Sequence, residues 1–354
     1  MNIPPGLIET PALLRTGITT DSIHRKFRAG ELVRVRRGYY VEMSRWLEAK
    51  PWDRFAWSLA AASRAVPGLI LCRETAAFAM GIPVLRTPTH VECITAASSR
   101  SGRGRPTLSV LGQSPAARKI RQEGGFPLLF HLGKERNPDM VGGYACTALV
   151  QTVLDVAFTS RLSQSLVVAD GAAREMWKQG RLDLHGSLMD VDGIAIAVRG
   201  NQNASARRRA EVALSLATPL SESAGESYSR AAFEYLGFEQ PELQHDFSDI
   251  EGFIGRSDFW WPVGGSGSLR GVVGEFDGKA KYTDADLRNG ASPEEILYKE
   301  KLREDRIRAL GFGFVRWGWP HVENPERLRR KLLQGGLSPA RDAGRIPWNL
   351  PRPG

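Results

Sequence analysis

Two short stretches decide how the C-terminal part of the chain folds: Arg256-Ser-Asp-Phe-Trp-Trp-Pro262 and Gly271-Val-Val-Gly-Glu-Phe-Asp-Gly-Lys-Ala-Lys-Tyr282. Both are apolar and aromatic runs that carry acidic side chains. A Gly/Ser-rich gap separates them, which is typical of two antiparallel strands joined by a loop. The predicted hairpin pairs Trp261 with Arg270. Asp258 then lies opposite Val273, with Glu275 as its diagonal neighbour on the same face, about 7 Å away at Cβ.

This pair of carboxylates predicts a site for a divalent cation. Mg²⁺ prefers oxygen ligands, usually one or two carboxylates together with waters and a substrate phosphate. Bound there, Mg²⁺ would polarise a phosphodiester and activate a water, which is the chemistry of a metal-dependent endonuclease. A plainer interpretation stays open, in which Asp258 caps a turn and Asp277-Gly278 is a turn dipeptide.

Further motifs follow one another in order through the last third of the chain. They are Glu226-Ser-Tyr-Ser-Arg230, Gly237, Pro241-Glu-Leu-Gln244, Arg256-Ser-Asp258, Glu275-Phe-Asp277-Gly278, Lys299-Glu-Lys-Leu-Arg-Glu-Asp-Arg306, Gly311 and Val315-Arg316-Trp317. With these motifs, the segment from Ser221 to Trp319 resembles the very-short-patch-repair-type (Vsr-like) branch of the PD-(D/E)XK nuclease superfamily. The resemblance implies a restriction-endonuclease-like α/β core in this segment.

The resemblance also implies roles for individual acidic residues. Asp258 and Glu275 would be the metal ligands. Asp277 would be a further ligand or a neighbouring acid, and Glu226 would assist from the metal side. An alternative for Glu226 and Arg230, which stand four residues apart, is an ordinary ion pair on a helix surface.

The motif departs from the superfamily at two positions. Asp277 stands where the superfamily has Lys, and Lys281 stands where this branch has His. Lys281 or Lys279 would steady the reacting phosphate, because a lysine stabilises developing negative charge but does not ligate a metal as imidazole does. Arg230 and Lys301 would contact nucleic acid or help the fold. The departures leave a second possibility open, a nuclease-like domain that binds DNA without cutting it.

Composition narrows the class of protein. The 354 residues carry a formal net charge of +9 and are 42% hydrophobic, which predicts two or three units with real cores and a polyanionic partner such as nucleic acid. The cysteines Cys72, Cys93 and Cys146 form no metal-binding spacing, so free buried thiols in a reducing cytosol are expected. No signal peptide and no apolar run of about 18 residues is found, so we expect a cytoplasmic protein without a membrane segment.

The first fifty residues predict a winged helix-turn-helix. A short helix starts at Pro11, and Thr19-Thr20 offers an N-cap for a second helix over Asp21–Ala29 that Gly30 ends. Ile23 and Phe27, four residues apart, are its expected buried stripe. Two strands, Leu32–Val35 and Tyr39–Val41, then flank a basic turn.

This arrangement predicts contacts with duplex DNA. The second helix would enter the major groove and the hairpin would lie against the backbone. The expected contact residues are Ser22, Arg25, Lys26 and Arg28 on the helix and Arg34, Arg36 and Arg37 on the hairpin.

Gly17, the basic helix Arg25–Arg28 and the stretch Arg34–Tyr40 resemble the N-terminal domain of the abortive-infection type IV antitoxin (AbiEi) family. The resemblance implies DNA binding, autoregulation of an operon and a cognate toxin as a partner.

The sequence as a whole predicts a multi-domain α/β protein. The expected segments are a winged helix over 1–50, an α/β middle region over 51–215, a nuclease-type domain over 216–334 and a Pro-rich tail over 335–354. Within the middle region, the basic stretch Ser98–Pro106 is expected to be a loop that either contacts a phosphate backbone or is merely exposed. The sequence favours two functions, a Mg²⁺-dependent DNA endonuclease and an antitoxin-like regulator with an inactive nuclease-like domain. An RNA-processing or protein-binding module is a third class.

Overall fold

The computed structural model describes residues 3–15, 17–135, 137–262, 269–278 and 293–340. The chain divides into two compact units, residues 1–156 and 157–354. Helices and mixed sheets occur together, so the predicted α/β class is confirmed. The division between the units falls inside the predicted 51–215 segment, and the four predicted segments stay a prediction. None of the described helices combines the length and the hydrophobicity that a membrane span requires.

The first unit begins with the predicted helix-helix-hairpin order. Its elements are β1 (Ile8–Glu9), α1 (Thr10–Arg15), α2 (Thr20–Arg28), β2 (Leu32–Arg36), β3 (Tyr39–Glu42), α3 (Met43–Glu48), α4 (Pro51–Ala65), β4 (Ile70–Leu71), α5 (Arg73–Ala79), β5 (Val91–Thr95), β6 (Gly102–Arg103), β7 (Ser109–Val110), α6 (Pro115–Glu123), β8 (Leu128–Leu132), β9 (Asp139–Val141) and β10 (Tyr144–Cys146). One sheet has the order β1-β3-β2-β7 and the other β6-β8-β5-β4-β10-β9. In sequence, α7 (Leu149–Thr159) crosses the boundary between the units.

Local signals determine where α2 begins and ends. The Thr19 hydroxyl accepts a hydrogen bond from the Ser22 N–H at 3.3 Å, which satisfies one of the free donors of the first turn. Gly30 adopts φ +76° just after the helix, a conformation that glycine tolerates best. Ile23 and Phe27 are buried as predicted, so the opposite face of α2 is left to solvent.

The hairpin is part of a larger sheet than the sequence indicates. β2 pairs with β3 on one side and with β7 on the other, where Val33 lies opposite Val110. Trp46 of α3 and Trp57 of α4 are buried in the same core as Val33. The β1-β3-β2-β7 sheet is therefore held by residues well beyond residue 50.

In the described part of the second unit, helices cover a mixed sheet. Its elements are α8 (Leu162–Lys178), α9 (Ile194–Gly200), α10 (Ala204–Leu216), α11 (Ala224–Leu236), β11 (Glu242–Asp249), β12 (Gly252–Pro262), β13 (Gly271–Phe276), α12 (Pro293–Ala309), β14 (Gly313–Trp317), α13 (Trp319–Val322) and α14 (Pro325–Gln334). The strand order is β11-β12-β13-β14, and β14 runs parallel to β13.

Aromatic residues pack on both faces of this sheet. On one face, the ring of Phe233 in α11 meets the rings of Phe259 and Trp317 at 5.4 and 5.6 Å between centroids. On the other face, Trp260 is buried with Ile307 of α12. Successive residues of β12 therefore point alternately toward α11 and toward α12.

The predicted register of β12 and β13 was wrong by two residues. Trp261 pairs with Val272 and not with Arg270, which lies before β13 and donates its N–H to the Gly311 carbonyl at 3.1 Å. A shift of two keeps every side chain on its predicted face. The pair next to Phe259 and Gly274 in this register is Asp258 and Glu275, so these two acidic residues lie directly opposite each other.

Candidate nucleic-acid interface

The predicted cations of α2 lie on its exposed face. Arg25, Lys26 and Arg28 are all exposed, and Ser22 is partly exposed at the first turn. Because Ile23 and Phe27 fix the buried side of the helix, these polar side chains project to solvent. The first unit thus presents a short helix whose exposed face is basic.

The hairpin arginines line a groove beside α2. The groove has a volume of about 880 Å³. Its lining includes Thr20, His24, Arg34, Arg36, Arg37 and Tyr39. The Arg34 guanidinium lies over the Phe27 ring at 4.9 Å from the centroid, which links the hairpin to α2. Burial lowers the pKa of Arg36, a sign that its charge is partly removed from water.

Among the residues that the structure describes, these cations have no acidic partner. Within the described ranges, no ion pair or hydrogen bond engages the side chain of Arg25, Lys26, Arg28, Arg34, Arg36 or Arg37. A half-buried arginine without a counter-charge is unfavourable, and an anion placed in the groove would relieve that cost. The helix and the groove together form a surface suited to phosphate groups.

Carboxylates of the second unit are arranged differently, beginning with Glu226 in the first turn of α11. Glu226 is 6% exposed. Its oxygens accept hydrogen bonds from the Glu222 N–H at 2.7 Å, the Ser223 hydroxyl at 2.8 Å and the Gln244 amide at 3.1 Å. Burial, with the nearby charge of Asp258 second, raises the pKa of Glu226 to about 7. Protein groups therefore supply all three of these hydrogen bonds to the carboxyl.

Gln244 reaches Glu226 from a strained backbone. Its φ of +55° lies inside β11, a conformation that costs a residue with a side chain about 1–3 kcal/mol. The neighbouring Asp258 is half-buried, and its Oδ2 accepts the N–H of Phe276 at 2.8 Å. Both carboxylates therefore take part in holding β11, β12 and β13 in place.

Glu275 is enclosed by two arginines. It is 9% exposed. One oxygen accepts from Arg303 of α12 and the other from Arg316 of β14 at 2.8 Å. Arg316 also pairs with Glu300 at 3.1 Å. Parallel pairing of β13 with β14 puts Glu275 and Arg316 side by side, so this contact follows directly from the sheet topology.

The donor set does not fit Mg²⁺. Both oxygens of Glu275 are bound by guanidinium groups, and a backbone N–H occupies one oxygen of Asp258. Across the part of the chain that the structure describes, no group of three His, Cys, Asp or Glu side chains is placed to hold a metal ion. Asp277 is half-buried beside Gly318, with its N–H bonded to the Trp317 carbonyl. Lys279 and Lys281 lie outside the described residues.

Two cations assigned to nucleic acid have different surroundings. Lys301 is exposed on α12. Arg230 is 5% exposed and donates to both oxygens of Asp170 in α8 at 2.9 Å. A nucleic-acid contact by Arg230 is incompatible with this burial, and so is the surface pair with Glu226. The sequence signal was misleading because a four-residue spacing describes one helix and says nothing about a partner on another.

Glu226 makes stability depend on pH. The folded protein holds its proton up to a pKa of about 7, against an ordinary value of 4.5. At a pH between these two pKa values, the unfolded chain binds fewer protons at Glu226 than the folded protein does. The contribution of Glu226 to the free energy of unfolding therefore falls as pH rises, by at most about 1.4 kcal/mol per pH unit. We expect urea unfolding across this interval to show that decline in the wild type and a smaller one in Glu226→Gln. Parallel pH profiles for the two proteins would contradict the assignment.

Comparison with known proteins gives little further information. No protein-family model matches the chain, and no curated protein matches it. A solved structure described as the RV2827C protein from Mycobacterium tuberculosis is similar at 12% sequence identity and a TM-score of 0.31, over 70% of this chain and 85% of that one. A likeness of this size assigns neither a fold nor a function.

Proposed function

We propose that this chain is a DNA-binding regulatory protein that contacts duplex DNA through α2 and the β2–β3 hairpin, and that its second unit does not hydrolyse DNA. One contrast carries the proposal. The cations of α2 and the hairpin have no acidic partners among the described residues, whereas Arg303 and Arg316 beside the nuclease-like carboxylates are engaged by Glu275. Positive charge is thus free for phosphates on α2 and the hairpin, and it is neutralised around Glu275.

Duplex DNA suits this surface better than duplex RNA. The major groove of B-form DNA is about 12 Å wide and admits a helix, while that of A-form RNA is too deep and narrow for side chains to read. A basic helix with a neighbouring basic hairpin fits the first geometry. The resemblance of the same residues to AbiEi antitoxins supports autoregulation and a cognate toxin as parts of the proposal.

Hydrolysis by the second unit is the other candidate, because Asp258 and Glu275 lie on adjacent strands in facing positions. A metal ion there would have to displace two arginines from a carboxylate that is 9% exposed. Separating those charges without new partners is costly, so the arrangement favours a structural role for Glu275.

Plasmid incubated with the protein in Mg²⁺, in Mn²⁺ and in EDTA separates the two functions. We expect retarded plasmid in all three conditions and no metal-dependent nicking. The control variant is Asp258→Asn, which keeps the size of the side chain and removes a potential ligand. Nicking that requires metal and disappears in Asp258→Asn would establish hydrolysis and overturn the second half of the proposal.

A further inference from the structure

The basic stretch that follows β5 is joined to the β1-β3-β2-β7 sheet. Ser98–Arg100 forms a single 3₁₀ turn, and β6 then adds to the edge of the second sheet through Arg103, which lies opposite Leu129 of β8. A few residues later the same segment enters β7, which pairs with β2. It therefore runs from the edge of one sheet of the first unit to the edge of the other.

Two contacts fix the segment beside the hairpin. The Thr107 hydroxyl donates to the Val35 carbonyl at 2.9 Å, and Arg34 lies opposite Ser109 in the β2–β7 pair. Thr107 also lines the groove that contains the hairpin arginines. The segment is thus tethered to β2 at Thr107, two residues after Arg105.

Three arginines of this segment are exposed: Arg100, Arg103 and Arg105. In the described part of the chain, none of them forms an ion pair or hydrogen bond through its side chain, and the Arg100 guanidinium stacks over the Phe130 ring at 5.0 Å. Burial raises the pKa of the Cys93 thiol to about 12, while the charges of Arg100 and Arg36 both act to lower it. Both cations therefore lie within electrostatic reach of the same atom.

We propose that Arg100, Arg103 and Arg105 form a second phosphate-contacting site that extends the DNA footprint from the hairpin along the edge strand β6. The ligand is the phosphodiester backbone of duplex DNA, since cations on an exposed edge carry charge without the groove-entering geometry needed to read bases. This inference rests on the proposed DNA binding of α2 and the hairpin. It adds that residues beyond the winged helix contribute affinity without sequence preference.

The salt dependence of binding tests the site. Each phosphate contact contributes about 0.9 to the slope of log affinity against log salt concentration. For Arg103→Ala/Arg105→Ala on a duplex of about 20 base pairs, two helical turns, we expect a slope shallower than wild type by about 1.8. The matched control is Arg327→Ala/Arg330→Ala, which removes two exposed arginines from α14 and is expected to keep the wild-type slope.

Different failures have different meanings. If the wild type binds duplex DNA and both double variants keep its slope, the second site is overturned and the proposed function stands. If the wild type does not bind duplex DNA at all, both are overturned. Arg103→Glu/Arg105→Glu, checked for unchanged circular dichroism, should weaken binding more than the alanine pair does. Equal binding by the glutamate pair and the wild type would also overturn the site.

Discussion

Replacing both Arg25 and Lys26 with alanine is expected to weaken binding to a cognate duplex by at least about 1–3 kcal/mol, or about 5- to 150-fold, which is the usual cost of losing one arginine contact to a base. Both side chains are exposed on α2, and neither has an acidic partner among the described residues, so their loss should leave the fold unchanged. Fluorescence anisotropy with a labelled duplex would measure the effect.

The control for this variant is again Arg327→Ala/Arg330→Ala, which lowers the net charge by the same amount. If affinity reflected only the overall charge of +9, the two variants would weaken binding equally. We expect the α14 variant to bind like the wild type. An equal loss in both would contradict a specific role for α2.

Replacing Asp170 with alanine is expected to lower the free energy of unfolding by about 3–5 kcal/mol, because it leaves the charge of Arg230 buried without its partner. Asp170 is 1% exposed and accepts both hydrogen bonds from Arg230 and a third from the Thr218 N–H at 2.9 Å. Urea denaturation followed by circular dichroism would measure the loss.

A second acid-arginine pair of the same unit provides the comparison. Arg306 donates to both oxygens of Asp249 at 2.9 and 2.6 Å, but the arginine side chain is 33% exposed. Solvent screens such a pair, so Asp249→Ala is expected to lower the free energy of unfolding much less than Asp170→Ala does. An equal decrease in the free energy of unfolding for Asp170→Ala and Asp249→Ala would contradict the claim that burial makes the Asp170–Arg230 pair the more important one.

The elements that the sequence predicts well are those with local signals. Thr19, the Ile23/Phe27 stripe and Gly30 define α2 within one residue of its observed ends. The partner of β2 on its other edge, β7, could not be predicted, because the pairing joins residues more than seventy positions apart and β7 is only two residues long.

Register shows a similar limit. Alternation of apolar and acidic residues fixed which side chains share a face, so Asp258 and Glu275 were correctly expected on adjacent strands. The pairing partner of Trp261 depends on the conformation of the loop, about which the composition of a Gly/Ser-rich stretch says little. The prediction therefore placed the side chains on the correct faces of the sheet, but its pairing was wrong by two residues.

The surroundings of Glu275 lay beyond sequence reasoning. Arg303 belongs to α12 and Arg316 to β14, and they meet the carboxylate only through tertiary packing. One signal was available: Arg316 lies in an apolar strand, where a charged residue usually has a partner. The sequence does not show that partner. An acidic residue on a strand therefore gives the same pattern whether it binds a metal ion or a guanidinium group.

The salt dependence of duplex binding in EDTA tests the central claim most directly, by comparing the wild type with a variant in which Arg25, Lys26, Arg28, Arg34, Arg36 and Arg37 are all alanine. If these six cations contact phosphates, the variant binds weakly and its slope is shallower by up to about 5.4. A correctly folded variant with the affinity and slope of the wild type would contradict the account.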